Sequence, residues 1–306
     1  MKIFTIQDKI KFTAEQIILL GLPSCTFNKQ DVRSHLYESV KAHCTDAYEY
    51  VNDPFTCDTL VLPYKFKGVK DETYVQLLTL SKTCNKPLVC FYNDDDIKTY
   101  SIDDNVLLFR TSIDNTRRLF NEFALSTISA ELYSGLILSN HTELSVGFCG
   151  SGYPPNRRHY LKLIEESAYI KTNFIIRNGF NAPGIPKEQA RSEYYKNIEE
   201  NLFTFCYRGA GNFSYRFYEV LSMGRIPILI NTDCVIPFWD DIVTSGIIII
   251  DENDTMDVVQ TIRTYYDKHK HNLEHIQTQN RDLYIKYFSP IGFLKNIQPI
   301  ITNFLS

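Results

Sequence analysis

The stretch FCYRGAGNFSYRFYEVLSMGRIPILINTDCVIPFWD, residues 205–240, decides how the chain is read. A short apolar run ends in a loop holding Arg208, Gly209 and Gly211. A segment of helical character follows from Ser214 to Met223. Gly224 comes next, a residue favoured just past a helix end, and then a second apolar run from Ile226 to Ile230. Strand, glycine loop, helix and strand in that order make one βαβ unit. Its free backbone N–H groups and its helix dipole favour an anion lying above the loop.

The same alternation extends outward in both directions. Upstream, residues 2–6 (KIFTI), 16–20 (QIILL), 58–63 (DTLVLP), 87–92 (PLVCFY) and 105–110 (NVLLFR) read as strands. Helices are expected over Lys29 to Cys44 behind Asn28, from Asp71 or Thr73 onward, and over Thr116 to Phe123. Nearer the opening stretch, 144–150 (LSVGFCG) and 173–177 (NFIIR) read as strands, with helices over Arg157 to Ser167 and Lys187 to Asn201. Downstream lies GIIIID (246–251), then helical sequence from Thr255 broken by Pro290 and Pro299. Strands alternating with helices predict an α/β protein with parallel sheets covered by helices. Two Rossmann-like domains are expected, residues 1–138 and 139–306, divided within 135–143, with the last helices free to pack back on the first domain. Two such domains would face each other across a cleft lined by the loops at the carboxyl ends of their strands.

Charge removes one class of partner. The formal net charge is −4, so no basic field exists to attract nucleic acid, and a polyanionic ligand must be met by local cations. Arg157, Arg158, Arg177, Arg208, Arg216 and Arg225 all lie in the second half. The 8 cysteines show neither a C-x-x-C pair nor zinc spacing, which favours a reducing compartment. The N-terminal residues do not resemble a signal peptide, and the longest apolar run, 246–250, is too short to span a bilayer. A soluble, cytoplasmic protein with no transmembrane segment is expected.

On this reading the anion is the diphosphate of an activated sugar. Glu219 lies five residues into the helix, roughly 7 Å along its axis, about the reach from a diphosphate to the ribose hydroxyls of its nucleotide. A carboxylate there accepts both hydroxyl protons, or else simply pairs with Arg216 at i, i+3. Arg208 and Arg216 either neutralise phosphates or stand as solvated charges. A second glycine turn, Gly147 to Arg158, precedes a helix that begins with Arg157 and Arg158. Cations there oppose the helix dipole unless an anion sits between them. Neither loop carries the Lys-Ser/Thr of a P-loop.

The run 208–238 resembles the signature of the exostosin-like glycosyltransferases, carbohydrate-active family 47. That family carries a Ser-x-Arg-Phe-x-Glu helix, a Gly-x-Ile-Pro strand and a Pro-Phe turn. Here these are Ser214, Arg216, Phe217 and Glu219; Gly224, Ile226 and Pro227; and Pro237 and Phe238. DTLVLPYKF, NVLLFRTS and NEFALS resemble further family segments, so the likeness covers most of residues 58–245. It implies a GT-B enzyme, inverting at the anomeric carbon, that moves sugar from a UDP-sugar to a hydroxyl of a glycan acceptor without a metal or other cofactor. By the match, Glu219 meets the donor ribose. Ser214, Arg216 and the loop of Arg208, Gly209, Gly211 and Asn212 contact the diphosphate, and the 149–158 segment with Arg157 and Arg158 closes over it. The chain departs from animal and plant members in lacking a membrane anchor, and is similar to the compact bacterial and viral type.

The displacement needs a base, expected from the first domain. Asp71 and Asp94 follow predicted strands, and each equally suits an ordinary role, as helix cap and turn former respectively. Tyr64 and Lys65 are candidate acceptor contacts. Asp94 and Asp96 also form a D-x-D, which suits a metal-dependent GT-A transferase but leaves 205–240 without a role. His271 and His275 stand at i, i+4 with no third ligand. A non-catalytic nucleotide- or carbohydrate-binding protein on the same fold is the alternative from another class.

Overall fold

The computed structural model of the protein describes residues 1–12, 16–29, 34–126, 143–180, 182–239, 246–252 and 258–305. Its contacts divide the chain into two compact units. Unit 1 takes Met1–Ala130, Val235–Pro237 and Lys286–Ser306; unit 2 takes Glu131–Cys234 and Phe238–Ile285. The expected boundary at 138/139 lies outside the described residues.

Unit 1 is built on six parallel strands: β1 (Lys2–Phe4), β2 (Glu49–Tyr50), β3 (Thr59–Val61), β4 (Leu88–Tyr92), β5 (Val106–Arg110) and β6 (Glu122–Ala124), in the order β2-β1-β3-β4-β5-β6. Every residue of β3, β4 and β5 is buried, as in parallel strands covered on both faces. Helix α1 is described over Ser34–Ala47 and runs past the expected end at Cys44; residues 30–33, in the expected first turns, lie outside the described residues. Helix α2 (Glu72–Cys84) starts where the Asp71 carboxylate accepts the Tyr74 N–H, 3.0 Å, and ends on Asn85 in the left-handed region, φ 53°.

Two sequence expectations are corrected here. QIILL is not a strand: Ile17–Leu19 form a 3-10 turn, and all three side chains are buried. A short apolar run without alternation does not distinguish a strand from a buried turn. Residues 116–123 are not a helix. They turn on the Asp114 carboxylate, which accepts the Thr116 N–H (2.9 Å), and run into β6. What draws this segment to the sheet is an ion pair. Arg110 on β5 donates to Glu122 on β6 at 2.9 Å, and both side chains are only 3% exposed.

Unit 2 holds five parallel strands: β7 (Ser145–Ser151), β8 (Lys171–Arg177), β9 (Phe203–Cys206), β10 (Ile226–Asn231) and β11 (Ile248–Asp251), in the order β11-β10-β9-β7-β8. The chain winds outward from β7 to β8, then crosses back to β9 and on to β11. The direction therefore reverses between β7 and β9. Its helices are α3 (Pro155–Glu165), α4 (Lys187–Glu200), α5 (Tyr215–Ser222), α6 (Val258–His269) and α7 (Leu273–Leu283). Right-handed crossovers and the contacts of α3 with α6 and of α5 with α7 put α3 and α6 on one face and α4, α5 and α7 on the other. Phe148, Tyr160, Phe203, Phe205, Ile228 and Ile262 lie in the core of this unit.

Two glycines set distances in this unit. A Cβ on Gly147 would lie 2.8 Å from the Asn201 amide nitrogen and 3.0 Å from the Asn197 carbonyl, so the glycine lets α4 rest on β7. Gly224, at φ 68°, closes α5: its N–H bonds the Leu221 carbonyl and the Arg225 N–H bonds the Val220 carbonyl, each 3.0 Å. This is a Schellman motif at the residue where the sequence expects the helix to end.

Helix α8 (Pro290–Asn303) belongs to unit 1 and carries Phe293 against Phe109, ring centroids 6.2 Å apart. The helical run breaks at Pro290 as expected: the non-helical Ser289 separates the turn at Tyr284–Phe288 from this helix. Pro299 lies inside it, against expectation.

Candidate functional site

The reversal between β7 and β9 is a topological switch point, where the loops after two neighbouring strands diverge and leave a crevice at the carboxyl edge. β7 and β9 pair only at Val146–Phe203 and Gly147–Thr204, and nearer the carboxyl edge their carbonyls are taken by two arginines. Arg216, on α5, donates through Nη2 to the Cys149 carbonyl (2.7 Å) and through Nη1 to that of Phe205 (3.5 Å). Arg157, on α3, donates through Nη1 to the Ser151 carbonyl (2.8 Å), and through Nη2 to the carbonyls of Tyr207 (3.3 Å) and Arg208. The two side chains start from helices on opposite faces of the sheet and meet over the Phe148 ring, 4.3 Å away for Arg216 and 5.8 Å for Arg157. Gly150 makes room for this: a Cβ there would sit 2.7 Å from Arg216 Nη2.

Carbonyl dipoles satisfy these N–H groups without cancelling the charge. Among the described residues neither guanidinium forms an ion pair, and each keeps a buried Nε–H with no partner. Burial, and then the repulsion of Arg216, lower the Arg157 pKa to about 10, which still leaves it charged at neutral pH. The switch point thus carries two positive charges that, among the described residues, form no ion pair.

The other residues expected to meet the donor fall around this pair. Arg158 is exposed on α3, and Gly152 admits it, since a Cβ there would lie 2.9 Å from its Nε. Arg208 is half-buried. The Gly209 N–H bonds the Phe213 carbonyl (3.2 Å), Gly211 is buried, and the Asn212 side chain accepts the Thr232 hydroxyl at 2.7 Å. Ser214 is the residue before α5, yet its hydroxyl makes no capping bond. Glu219 does not take Arg216 as its partner: its Oε2 accepts the Tyr194 hydroxyl from α4. Burial holds the Glu219 carboxyl above its ordinary range, against the opposing pull of Tyr194, Arg216 and Arg191.

Of the other local cations, one is neutralised beside β7 and one is elsewhere. Arg177 ends β8 and bonds Glu193. Arg225 precedes β10, at the opposite edge of the sheet from the switch point, where it is 1% exposed. Its guanidinium bonds the Glu199 carbonyl (2.9 Å), the Met223 carbonyl (3.2 Å) and Gln277 Oε1 (3.2 Å).

Sequence reasoning missed Tyr194, which is one of two adjacent tyrosines on a polar helix with nothing to mark it. It also missed Glu252 at the end of β11, which accepts the Tyr207 hydroxyl and, at 3.0 Å, the Asn156 amide.

In unit 1, Asp71 both caps α2 and accepts the Tyr64 hydroxyl at 2.6 Å. Burial pushes its carboxyl up, but the bonds from Tyr64 and the Tyr74 amide outweigh that, and the net shift is downward. Asp94 forms an ion pair with Lys65 at 2.6 Å, which is the main cause that lowers its pKa. Asp96 accepts the Lys98 N–H (2.6 Å) and the Tyr100 hydroxyl (3.0 Å). Among the described residues no group of three His, Cys, Asp or Glu side chains is gathered as a metal would need, and no helix is long and apolar enough to cross a membrane.

Asp71→Ala removes the cap and is expected to cost about 1 kcal/mol, read as a lowered midpoint in denaturant unfolding. Because the folded pKa of Asp71 lies below its ordinary 3.8, this contribution is complete above that value. It fades as pH falls through the folded pKa, so wild type and variant should converge in acid.

No protein-family model matches the chain, and no curated protein matches its sequence.

Proposed function

We propose that unit 2 binds the diphosphate of a nucleotide sugar at the β7/β9 switch point. On this reading the protein is an inverting GT-B glycosyltransferase that moves sugar from a UDP-sugar to a hydroxyl of a glycan acceptor. One observation carries the reading: Arg157 and Arg216 stand together at the switch point as cations that bond only carbonyls and, among the described residues, form no ion pair. A departing diphosphate develops negative charge, and fixed cations in a site of low dielectric stabilise it without reorganising. Arg158, Arg208 and the Ser214 hydroxyl add donors around the same loops, and Glu219 supplies the acceptor that a ribose needs. The likeness of residues 208–238 to the exostosin-like enzymes points the same way.

The base remains assigned to unit 1, to Asp71 or Asp94. Both are ionised at neutral pH and can accept a proton, while their lowered pKa values make each a weaker base than a free carboxylate. Tyr64 and Lys65, hydrogen-bonded to them, are the acceptor-side residues. Asp71→Asn and Asp94→Asn, compared for turnover at unchanged UDP affinity, identify the one that acts. Full activity in both removes the assignment.

Glu219→Ala is expected to weaken UDP binding by about tenfold to a hundredfold, the loss of one or two hydrogen bonds to a charged group, with the melting curve little changed. Calorimetric titration measures this, and an unaltered affinity would sink the donor-site assignment. A UDP-release assay over a panel of UDP-sugars, with and without EDTA, tests the activity. Release that survives EDTA fits the proposal. Release abolished by EDTA selects the metal-dependent reading with Asp94 and Asp96, and binding without release selects a non-catalytic binding protein.

A further inference from the structure

The two oxygens of Glu219 are not equivalent. Tyr194 donates its hydroxyl to Oε2, while Oε1 has no partner among the described residues. The turn of α4 that carries Tyr194 is itself anchored. Glu193 accepts from Arg177 at the end of β8 and, at 2.8 Å, from Gln189 one turn earlier on the same helix. The Tyr194 ring lies 5.5 Å from the Arg216 guanidinium, so the same tyrosine borders the arginine that binds the β7 and β9 carbonyls. A glutamate free in solution samples many rotamers. Here a second helix fixes one oxygen and so aims the other, which reduces what binding must order.

Resting on the nucleotide-sugar reading, we propose that Tyr194 is a positioning residue that holds Glu219 so that Oε1 meets a ribose hydroxyl. It thereby makes the site selective for a nucleoside diphosphate over a bare diphosphate.

The electrostatics agree with the geometry. The groups facing Glu219 are Arg216 on its own helix, Arg191, Tyr194 and Tyr195 on α4, and Cys206 on β9. Burial raises the Glu219 pKa, and the Tyr194 hydroxyl is the first of the influences that lower it. Accepting a ribose proton requires the ionised form, so UDP affinity falls as pH falls through this pKa. Without the tyrosine hydroxyl, that fall moves to higher pH.

The test is calorimetric titration of the full chain with UDP and with inorganic pyrophosphate, at several pH values on the acid side of neutrality. Tyr194→Phe is expected to bind UDP about tenfold more weakly, as for a lost hydrogen bond to a charged group. Pyrophosphate affinity should be unchanged, and the pH midpoint for UDP should rise. UDP affinity unchanged in this variant overturns the proposal, as does an equal loss for both ligands, the mark of a merely structural role. If Tyr194→Phe does not fold, Glu219→Gln takes its place. It keeps an acceptor for Tyr194 and should lose the Glu219-dependent part of the UDP pH profile while binding pyrophosphate normally. Retention of the wild-type profile overturns the proposal. A wild-type protein that binds no UDP overturns the nucleotide-sugar reading and this inference with it, whereas wild-type binding with an insensitive Tyr194→Phe overturns this inference alone.

Discussion

Glu122→Ala is expected to destabilise unit 1 by about 3–5 kcal/mol, the cost of leaving one member of a buried ion pair alone. Arg110 is 2% exposed, and its other bonds run to the carbonyls of Lys98 (2.7 Å) and Asp96 (2.5 Å), which cannot neutralise it. Glu122 Oε2 also accepts the Leu119 N–H at 3.1 Å, so the variant orphans a turn amide as well as a charge. Against a typical domain stability of about 5–15 kcal/mol this is a large fraction. Hydrogen exchange reads the effect locally: protection should collapse over Val106–Arg110 and stay near wild type over Ser145–Ser151. The double replacement Arg110→Met with Glu122→Leu should recover much of the loss, since apolar residues of similar volume often replace a buried pair without penalty. A single variant with intact protection would show that the pair contributes little.

A loss of similar size, about 3–5 kcal/mol, is expected in unit 2 for Arg225→Ala. The guanidinium bonds carbonyls at the C-termini of two helices, Glu199 on α4 and Met223 just after α5, where partial negative charge accumulates. Removing it opens a cavity in a fully buried place and strips those carbonyls and Gln277 of a donor together. Arg225→Lys should rescue little, because a compact ammonium cannot reproduce the planar fork that reaches both helix ends. Urea unfolding of the two variants, with exchange protection over Phe203–Cys206 and Ile226–Asn231, measures it. Wild-type stability in Arg225→Ala would contradict the description of this residue as a brace.

These two arginines show where the sequence was readable and where it was not. The alternation of strands and helices is legible because each buried parallel strand is a short apolar run and each helix carries its own period. So are the Gly224 turn and the Asp71 cap, which depend on residues next to one another. The order of strands in a sheet leaves no local trace, and the switch point depends on that order. Arg157, Arg216 and Arg225 look alike in sequence as cations near a glycine loop. Only the fold separates the two that bind carbonyls between β7 and β9 from the one that braces helix ends at the far edge. Tyr194 was invisible for the same reason: its partner is 25 residues away on another helix. Segment 116–123 misled because its helical pattern was overridden by Glu122, whose partner Arg110 lies 12 residues earlier.

The assignment of Lys286–Ser306 to unit 1 bears on how the two halves fold. Unit 2 takes no residue beyond Ile285, whereas unit 1 joins Met1–Ala130 to Lys286–Ser306. Unit 1 is complete only when α8 docks against elements far from it in the chain. Until Phe293 arrives, Phe109 lacks one of its aromatic neighbours and an apolar surface stays uncovered. Unit 1 is therefore the half whose folding must close the longer loop, the slower step and the one during which apolar surface stays exposed.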